Sequence, residues 1–286
     1  MSVRIFAPAK VNLTLEVGRP LADGYHPLQS AVVFASEGDW IEAEVQPDAP
    51  IHIRGPFGDA LAREIDFETD PISKAFRALE RDKCAAVILE KNLPLSSGIG
   101  GGSSDAAATL KALNLIWELG LAEAELMRIG REIGADVPVC VAARSSWMSG
   151  VGEVVEAMET PVLHAVLLNP LKPLSTPRVF REFDRMQLGE NFTVRSPPVW
   201  RTLEEAVEGV EGIGNDLEAP AVALMPELAA ILGSLRADPR SLCASLSGSG
   251  ATCFAITHTG DDARAMAKDL TARNNEWWVR AATLGA

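Results

Sequence analysis

The chain opens on short runs of apolar residues. Residues 3–6, 11–17, 31–35 and 40–45 each read as a strand, and the dipeptides Asp23-Gly24 and Gly38-Asp39 between them carry turn chemistry. That spacing predicts early antiparallel pairing. Residues 72–79 predict a helix, and residues 85–89 a strand leading into a glycine-rich run. After the glycines the apolar period lengthens. Ala107, Leu110, Ala112, Leu113 and Trp117 mark one face of a long helix over 104–119, and a second helix is predicted over 123–133.

Proline and glycine punctuate residues 150–161, which places a domain boundary near 160 and divides the chain into 1–160 and 161–286. The second part predicts a strand at 163–168, a loop at 191–199, a helix within 219–235, strands at 242–246 and 252–256, a helix at 263–273 and a closing strand at 277–281. Trp277 and Trp278 read as packing residues of that last strand. Strands and helices mix in both parts, without repeats or low-complexity tracts. This predicts an α+β fold rather than a doubly wound sheet.

Composition narrows the function. The chain has 286 residues, 47% of them hydrophobic, enough for one large domain or two of ordinary size. A net charge of -13, with no dense Lys/Arg cluster, argues against a nucleic-acid partner. Cys84, Cys140, Cys243 and Cys253 form no C-x-x-C pair and read as reduced, buried thiols. His26, His52, His164 and His258 show no ligand spacing, so no metal site is predicted from them. The start MSVRIFAPAK lacks the apolar core of a signal peptide, and no apolar run approaches the roughly 18 residues of a membrane span. The expected setting is the cytoplasm, with no membrane partner.

Chemistry concentrates in the run Leu95-Ser96-Ser97-Gly98-Ile99-Gly100-Gly101-Gly102-Ser103-Ser104-Asp105, which precedes an alanine-rich helix. Glycines let a backbone turn with positive φ and approach a ligand closely, and a helix start offers free N–H groups and a positive dipole end. This is a recipe for a phosphate cradle. No lysine follows the glycines, so the run is not a P-loop. Residues 91–97 separate it from the preceding strand, so it is not a dinucleotide fingerprint either. The bland alternative, a flexible capped loop, leaves four glycines in five positions without a use. Asp105 reads as a helix cap.

Three further segments stand out. Asp136, in Gly134-Ala135-Asp136-Val137-Pro138, sits among small and apolar residues that could raise its pKa toward that of a useful base. Lys10 lies between two predicted strands, where a solvent-facing edge lysine is the simpler reading. Residues 247–252, Ser-Gly-Ser-Gly-Ala-Thr, read as a tight hairpin turn between strands.

Taken in order, PAKVNL at 8–13, LPLSSGIGGGSSDAAA at 93–108, IGADVPV at 133–139 and SGSGAT at 247–252 resemble the motifs of the galactokinase, homoserine kinase, mevalonate kinase and phosphomevalonate kinase (GHMP) superfamily. DGYHPLQS, GADVP, STPRVF and GNDLE are similar to the branch whose acceptor alcohol carries a cytidyl group and feeds the synthesis of isoprenoid precursors. The resemblance runs from Pro8 to about Phe254.

It implies an N-terminal domain like the second domain of ribosomal protein S5 and a ferredoxin-like C-terminal domain, with ATP and substrate meeting in the cleft between them. It implies ATP as phosphoryl donor, used with Mg²⁺. It places the catalytic pair on Lys10 and Asp136 and a substrate contact on Asn12. Tyr25 and His26 fall on the cytosine-recognition segment, with Phe180 as the aromatic on the other side of the ring. Lys91 and residues 95–105 fall on the ATP site, and Gly248, Ser249 and Gly250 on a third motif near the phosphates. Two positions depart from the family pattern. Serines stand at 96 and 97 where alanine and glycine are usual, and Asp70-Pro71 replaces Asn-Leu before the helix at 72–79. Another kinase of the superfamily and a non-catalytic nucleotide-binding scaffold are the competing readings. The cytosine-side segment argues against the first, and Lys10 with Asp136 against the second.

Overall fold

The structure is a computed structural model, and it describes residues 2–46, 51–64, 66, 68–79, 84–190 and 193–285. In chain order the elements are β1 (Ser2–Asn12), β2 (Glu16–Val17), β3 (Leu28–Glu44), β4 (Ile51–Arg54), α1 (Gly58–Glu64), α2 (Pro71–Leu79), β5 (Ala86–Glu90), α3 (Gly101–Ile116), α4 (Glu123–Ile133) and α5 (Val137–Ala142). They continue with β6 (Ser146–Ser149), β7 (Val154–Ala157), β8 (Leu163–Asn169), α6 (Thr176–Arg185), α7 (Leu203–Ile213), α8 (Glu218–Leu224), α9 (Glu227–Ala237), β9 (Ser241–Leu246), β10 (Cys253–Thr257), α10 (Gly260–Arg273) and β11 (Trp278–Leu284). Two compact units interleave along the chain. The first holds Met1–Lys10, Gly38–Leu95 and Gly100–Ala143; the second holds Val11–Glu37, Ser96–Ile99 and Arg144–Ala286.

In the first unit β5 pairs antiparallel with the end of β3, Trp40 opposite Glu90, and parallel with β4, Ile51 opposite Val87. Ile41, Ala43, Val87 and Leu89 from these strands pack with Ala108, Ala112 and Leu113 of α3 and with Trp117, which follows it; Ala112, Leu113 and Trp117 belong to the predicted helix face. Leu110 and Ala107 are buried as well, so α3 runs through the interior of the unit rather than over its surface. Alanine suits this place, because small side chains let neighbouring elements approach on every side.

In the second unit the strand order is β11-β8-β10-β9, with every neighbour antiparallel. Helices α6 to α9 join β8 to β9, a tight turn joins β9 to β10, and α10 joins β10 to β11. This is the ferredoxin-like arrangement that the resemblance implies. Its core gathers Val166, Leu168, Val179, Phe183, Leu228 and Met266. Thr202 and Thr259 start α7 and α10 by accepting hydrogen bonds from Glu205 N and Asp262 N. Trp278 is buried, and Trp277 packs against the same core.

Several expected boundaries move. The strand predicted at 3–6 and the first two residues of the one predicted at 11–17 join into β1, while Glu16–Val17 form the separate β2, so Lys10 lies inside a strand and its side chain is buried. The strands predicted at 31–35 and 40–45 join into β3, which runs straight through Gly38-Asp39. Gly38 answers to packing and not to a turn: a Cβ there would stand 2.4 Å from Ala7 O and 2.7 Å from the Phe6 ring. The helix predicted over 219–235 is two helices, because Pro226 supplies no N–H and disfavours helical backbone at Met225. The segments β4, α1, α5, β6, β7, α6 and α7 have no counterpart among the predicted elements. Residues 193–198 are irregular, as expected; Asn191, where the predicted loop begins, and residue 192 lie outside the described residues.

Candidate active site

Lys10 and Asp136 meet in the first unit. Lys10 leaves the sheet from β1, and Asp136 is the last residue before α5. Lys10 Nζ lies 2.8 Å from Asp136 Oδ2, with the lysine side chain buried and the aspartate side chain 39% exposed. Asp136 makes no capping bond to its own helix, which leaves its carboxylate for the lysine. Gly100 lies on the lysine stem: its φ is +64°, and a Cβ would stand 3.0 Å from Lys10 Cβ. Ser104 Oγ donates to Pro8 O at 2.7 Å and so ties α3 to the strand that carries Lys10. The Cys140 thiol lies 3.4 Å from Ser104 Oγ, and burial pushes it up to about 12, so it is not a nucleophile.

Gly100 is also the N-cap of α3 and offers no side-chain cap; the first turn holds no acid. The first intrahelical bond runs from Ser104 N to Gly100 O. The N–H groups of Gly101, Gly102 and Ser103 therefore have no intrahelical acceptor, which is the donor set an anion needs. Asp105 does not cap the helix. It points inward and shares the Lys91 ammonium with Asp39, at 2.7 and 2.6 Å. Asp39 Oδ1 also accepts from Asn92 N and Leu93 N, at 2.5 and 2.8 Å. Asp105 Oδ1 is buried without a hydrogen-bond partner among the described residues. A Cβ on Gly101 would stand 3.0 Å from Lys91 Nζ, so this ion triad lies directly under the first turn of α3.

The triad has a consequence for pH. Burial pushes the Asp105 carboxyl up to about 8, against the pull of Lys91. Burial alone would lower Lys91, but the two carboxylates more than reverse it and hold the ammonium above its ordinary value. Folded Asp105 therefore keeps a proton that the unfolded chain has already lost. Its contribution to stability is complete below the ordinary value of 3.8 and is lost as pH rises through about 8. Melting curves taken between about pH 6 and pH 9 are expected to show a falling Tm, and Asp105→Asn is expected to flatten that fall.

In the second unit two glycine turns touch. A Cβ on Gly98, whose φ is +76°, would stand 2.5 Å from Gly250 O and 2.6 Å from Ser247 O. Thr252 N donates to Ser97 O at 3.0 Å, and Ser247 Oγ to Gly98 O at 3.1 Å. Asn215 Nδ2 donates to Leu246 O and Gly248 O and so holds the β9–β10 turn. Asn12 is buried; its Nδ2 donates to Ser30 Oγ at 2.7 Å and its N to Ser247 Oγ at 3.1 Å. Ser96 stands at φ +48°, in the left-handed region where glycine would be unstrained.

The same unit carries an aromatic cluster. The His26 ring lies 5.1 Å from Phe180 and 5.8 Å from Phe183, edge-on to the latter. Its Nε2 is 2.8 Å from Asp184 Oδ1. Tyr25, next in the chain, is 64% exposed and presents a free aromatic face.

Among the described residues no three His, Cys, Asp or Glu side chains converge on a possible metal position. The acid nearest the cradle, Asp105, is committed to Lys91. Among the described residues the cradle thus presents backbone N–H groups rather than a cluster of carboxylates. No helix among the described residues is long and apolar enough to cross a membrane.

Known proteins are similar to this chain along nearly its whole length. The GHMP kinases N terminal domain matches residues 70–144, and the GHMP kinases C terminal domain matches residues 192–276. A Cereibacter sphaeroides protein named 4-diphosphocytidyl-2-C-methyl-D-erythritol kinase is 42% identical over 98% of each chain. A Caulobacter vibrioides protein of the same name is 40% identical, again over 98% of each chain. The chain belongs to the 4-diphosphocytidyl-2-C-methyl-D-erythritol kinase family. A crystal structure of 4-(cytidine 5'-diphospho)-2C-methyl-D-erythritol kinase superposes with a TM-score of 0.78 at 31% identity, covering 99% of this chain and 100% of that one. A crystal structure of L. major mevalonate kinase shares the fold alone, with a TM-score of 0.71 at 19% identity over 98% of this chain and 95% of that one. The chain is thus a phosphotransferase with the GHMP kinase fold, as its motifs imply.

Within this kinase family frame, the departure at Asp70-Pro71 has a local cause. Asp70 Oδ1 accepts from Ile72 N and Ser73 N at 2.9 and 3.0 Å, and Pro71 is the first residue of α2, where its missing N–H costs nothing. Two acids escaped the sequence reading. Asp39 was hidden by its glycine neighbour, although period-two counting puts it on the inward face with Ile41 and Ala43. Asp184 stands one turn after Phe180, on a helix whose start, Ser175-Thr176-Pro177, could have been read as a cap followed by proline.

Proposed function

We propose that the chain transfers the γ-phosphoryl group of ATP to the tertiary 2-hydroxyl of 4-diphosphocytidyl-2-C-methyl-D-erythritol, a step of the methylerythritol phosphate route to isoprenoid precursors. The Lys10–Asp136 contact of 2.8 Å carries this reading. A tertiary alcohol is a poor nucleophile. Asp136 accepts its proton as the oxygen attacks; the O–H bond breaks, the new O–P bond forms, and the bond from Pγ to the bridging oxygen of ADP breaks. Lys10 holds the carboxylate in place and offsets negative charge as it develops on the reacting oxygens. The uncapped N–H groups of Gly101, Gly102 and Ser103 bind phosphate oxygens, and the turn of Gly248, Ser249 and Gly250 braces the loop through Ser97 and Gly98. Mg²⁺, carried on ATP, supplies charge neutralisation when bound. Tyr25 and Phe180 offer faces to the cytosine ring, and Asn12 orders the strand end beside Lys10.

Gly101→Val is expected to raise the KM for ATP or abolish binding, because a branched side chain would crowd both the phosphates and Lys91 Nζ. An unchanged ATP KM in a folded variant would remove the cradle from residues 95–105.

The substrate assignment is tested by ADP release with the cytidyl compound, mevalonate and homoserine. Tyr25→Ala and Phe180→Ala are each expected to raise the KM for the cytidyl compound by about tenfold or more, the scale of one lost stacking contact, with the ATP KM unchanged. Faster turnover of mevalonate or homoserine would leave only the superfamily reading standing.

A further inference from the structure

His26 is buried, yet it is tied to the protein through one ring nitrogen only. Its Nε2 meets Asp184 Oδ1 at 2.8 Å, while Nδ1 has no hydrogen-bond partner among the described residues. Phe180 and Phe183 both pack on the ring. All three partners lie on α6 at positions 180, 183 and 184, the spacing of one helix face. The helix therefore sets both where the imidazole sits and which way it is turned.

The chemistry of the pair decides where the ring hydrogen goes. An ionised carboxylate only accepts hydrogen bonds, so Nε2 must carry the hydrogen that it donates to Asp184. In the neutral ring Nδ1 is then left with a lone pair and can only accept. Cytosine and uracil differ at this kind of contact. The 4-position of cytosine is an amino group, which donates; that of uracil is a carbonyl oxygen, which accepts. An acceptor held rigidly against aromatic rings pairs with the first and leaves two facing acceptors with the second.

We propose that Asp184 is a specificity-determining residue: by holding the hydrogen on His26 Nε2 it makes Nδ1 an acceptor that selects a cytosine-bearing acceptor substrate over its uracil counterpart. The inference rests on the reading of Tyr25, His26 and Phe180 as the base site. Asp184 acts through His26 and is a positioning residue, not a catalytic one. Asp184→Asn releases the arrangement, because the amide can accept from Nε2 through its oxygen or donate to it through its nitrogen and no longer fixes which ring nitrogen carries the hydrogen. Asp184→Glu keeps a carboxylate and preserves it.

The test compares kcat/KM for the cytidyl substrate, its uridyl analogue and an analogue without the base, in wild type, Asp184→Asn and Asp184→Glu. Wild type is expected to favour cytosine over uracil by at least about 100-fold, the scale of a mismatched polar contact in a closed site. Asp184→Asn is expected to reduce that ratio at least about tenfold, with the ATP KM unmoved, and Asp184→Glu to retain most of it. Nitrogen-15 spectra of the His26 ring are expected to place the hydrogen on Nε2 in wild type and to show both tautomers in Asp184→Asn. A purely structural role would lower Tm without moving the base ratio or the tautomer. A folded Asp184→Asn protein as selective as a selective wild type overturns the role of Asp184 alone. Equal turnover of the base-free analogue by wild type overturns the base site itself, and this proposal with it.

Discussion

Asp136→Asn is expected to lower kcat by about 10² or more, while both KM values stay close to wild type. The amide has the shape of the carboxylate and can still accept from Lys10 Nζ, so the local geometry survives. What it cannot do is take the proton of the alcohol. The side chain is half-exposed and makes no capping bond, and the amide oxygen still gives the buried Lys10 ammonium an acceptor, so the fold should survive. Lys10→Ala should act on the same step. Because the two groups touch, the double variant should lose much less than the sum of the two single losses in free energy. Steady-state kinetics on the three proteins decide the matter: near-wild-type turnover in Asp136→Asn would place the base elsewhere.

Lys91→Met is expected to cost about 3–5 kcal/mol of stability, the usual scale when one partner of a buried ion group is removed. Two carboxylates would remain in an apolar interior. Asp39 keeps the N–H groups of Asn92 and Leu93, but Asp105 keeps no donor at all. Asp105 can escape part of the penalty by staying protonated, since burial already favours that form. Adding Asp105→Asn to Lys91→Met should therefore recover much of the loss, whereas adding it to the wild type should not stabilise. Denaturant titrations of the four proteins close the cycle. Simple additivity would mean that the triad does not act as a unit.

The contrast between these two sites explains what could be read in advance. The glycines at 98–102 and the alanine face behind them were legible because backbone freedom and helical period are local properties. Strands β9 and β10 were legible for the same reason: apolar runs bounded by turn residues at 247–252 and 259–260 leave few alternatives. Lys10 and Asp136 were not, since they are 126 positions apart in sequence and nothing local says that they meet; the resemblance to a kinase superfamily supplied that pairing, and the 2.8 Å contact agrees with it. Asp39 was misread as a turn because Gly38 can mean either a bend or a close approach, and only the neighbouring strand with Phe6 and Ala7 distinguishes them. Lys91 shows the same limit. A lysine beside a glycine loop suggests a phosphate contact, but whether its ammonium faces a ligand or two carboxylates depends on residues 52 positions before it and 14 after it.

The interleaving of the two units has a bearing on how the chain is made. Every segment of the first unit has been synthesised once Ala143 has left the ribosome, so that unit can complete its core early. The second unit cannot. Its segment Val11–Glu37 contains the apolar run Ala31–Ala35, whose partners Ser146–Met148 and Leu284 are added more than a hundred and about 250 residues later, respectively. Throughout that interval the first half of β3 has β1 and β2 beside it but lacks β6 and β11, and an incompletely paired apolar strand is what chaperones bind and what aggregates recruit. A nascent chain halted shortly after residue 143 should thus be more chaperone-dependent than the finished protein.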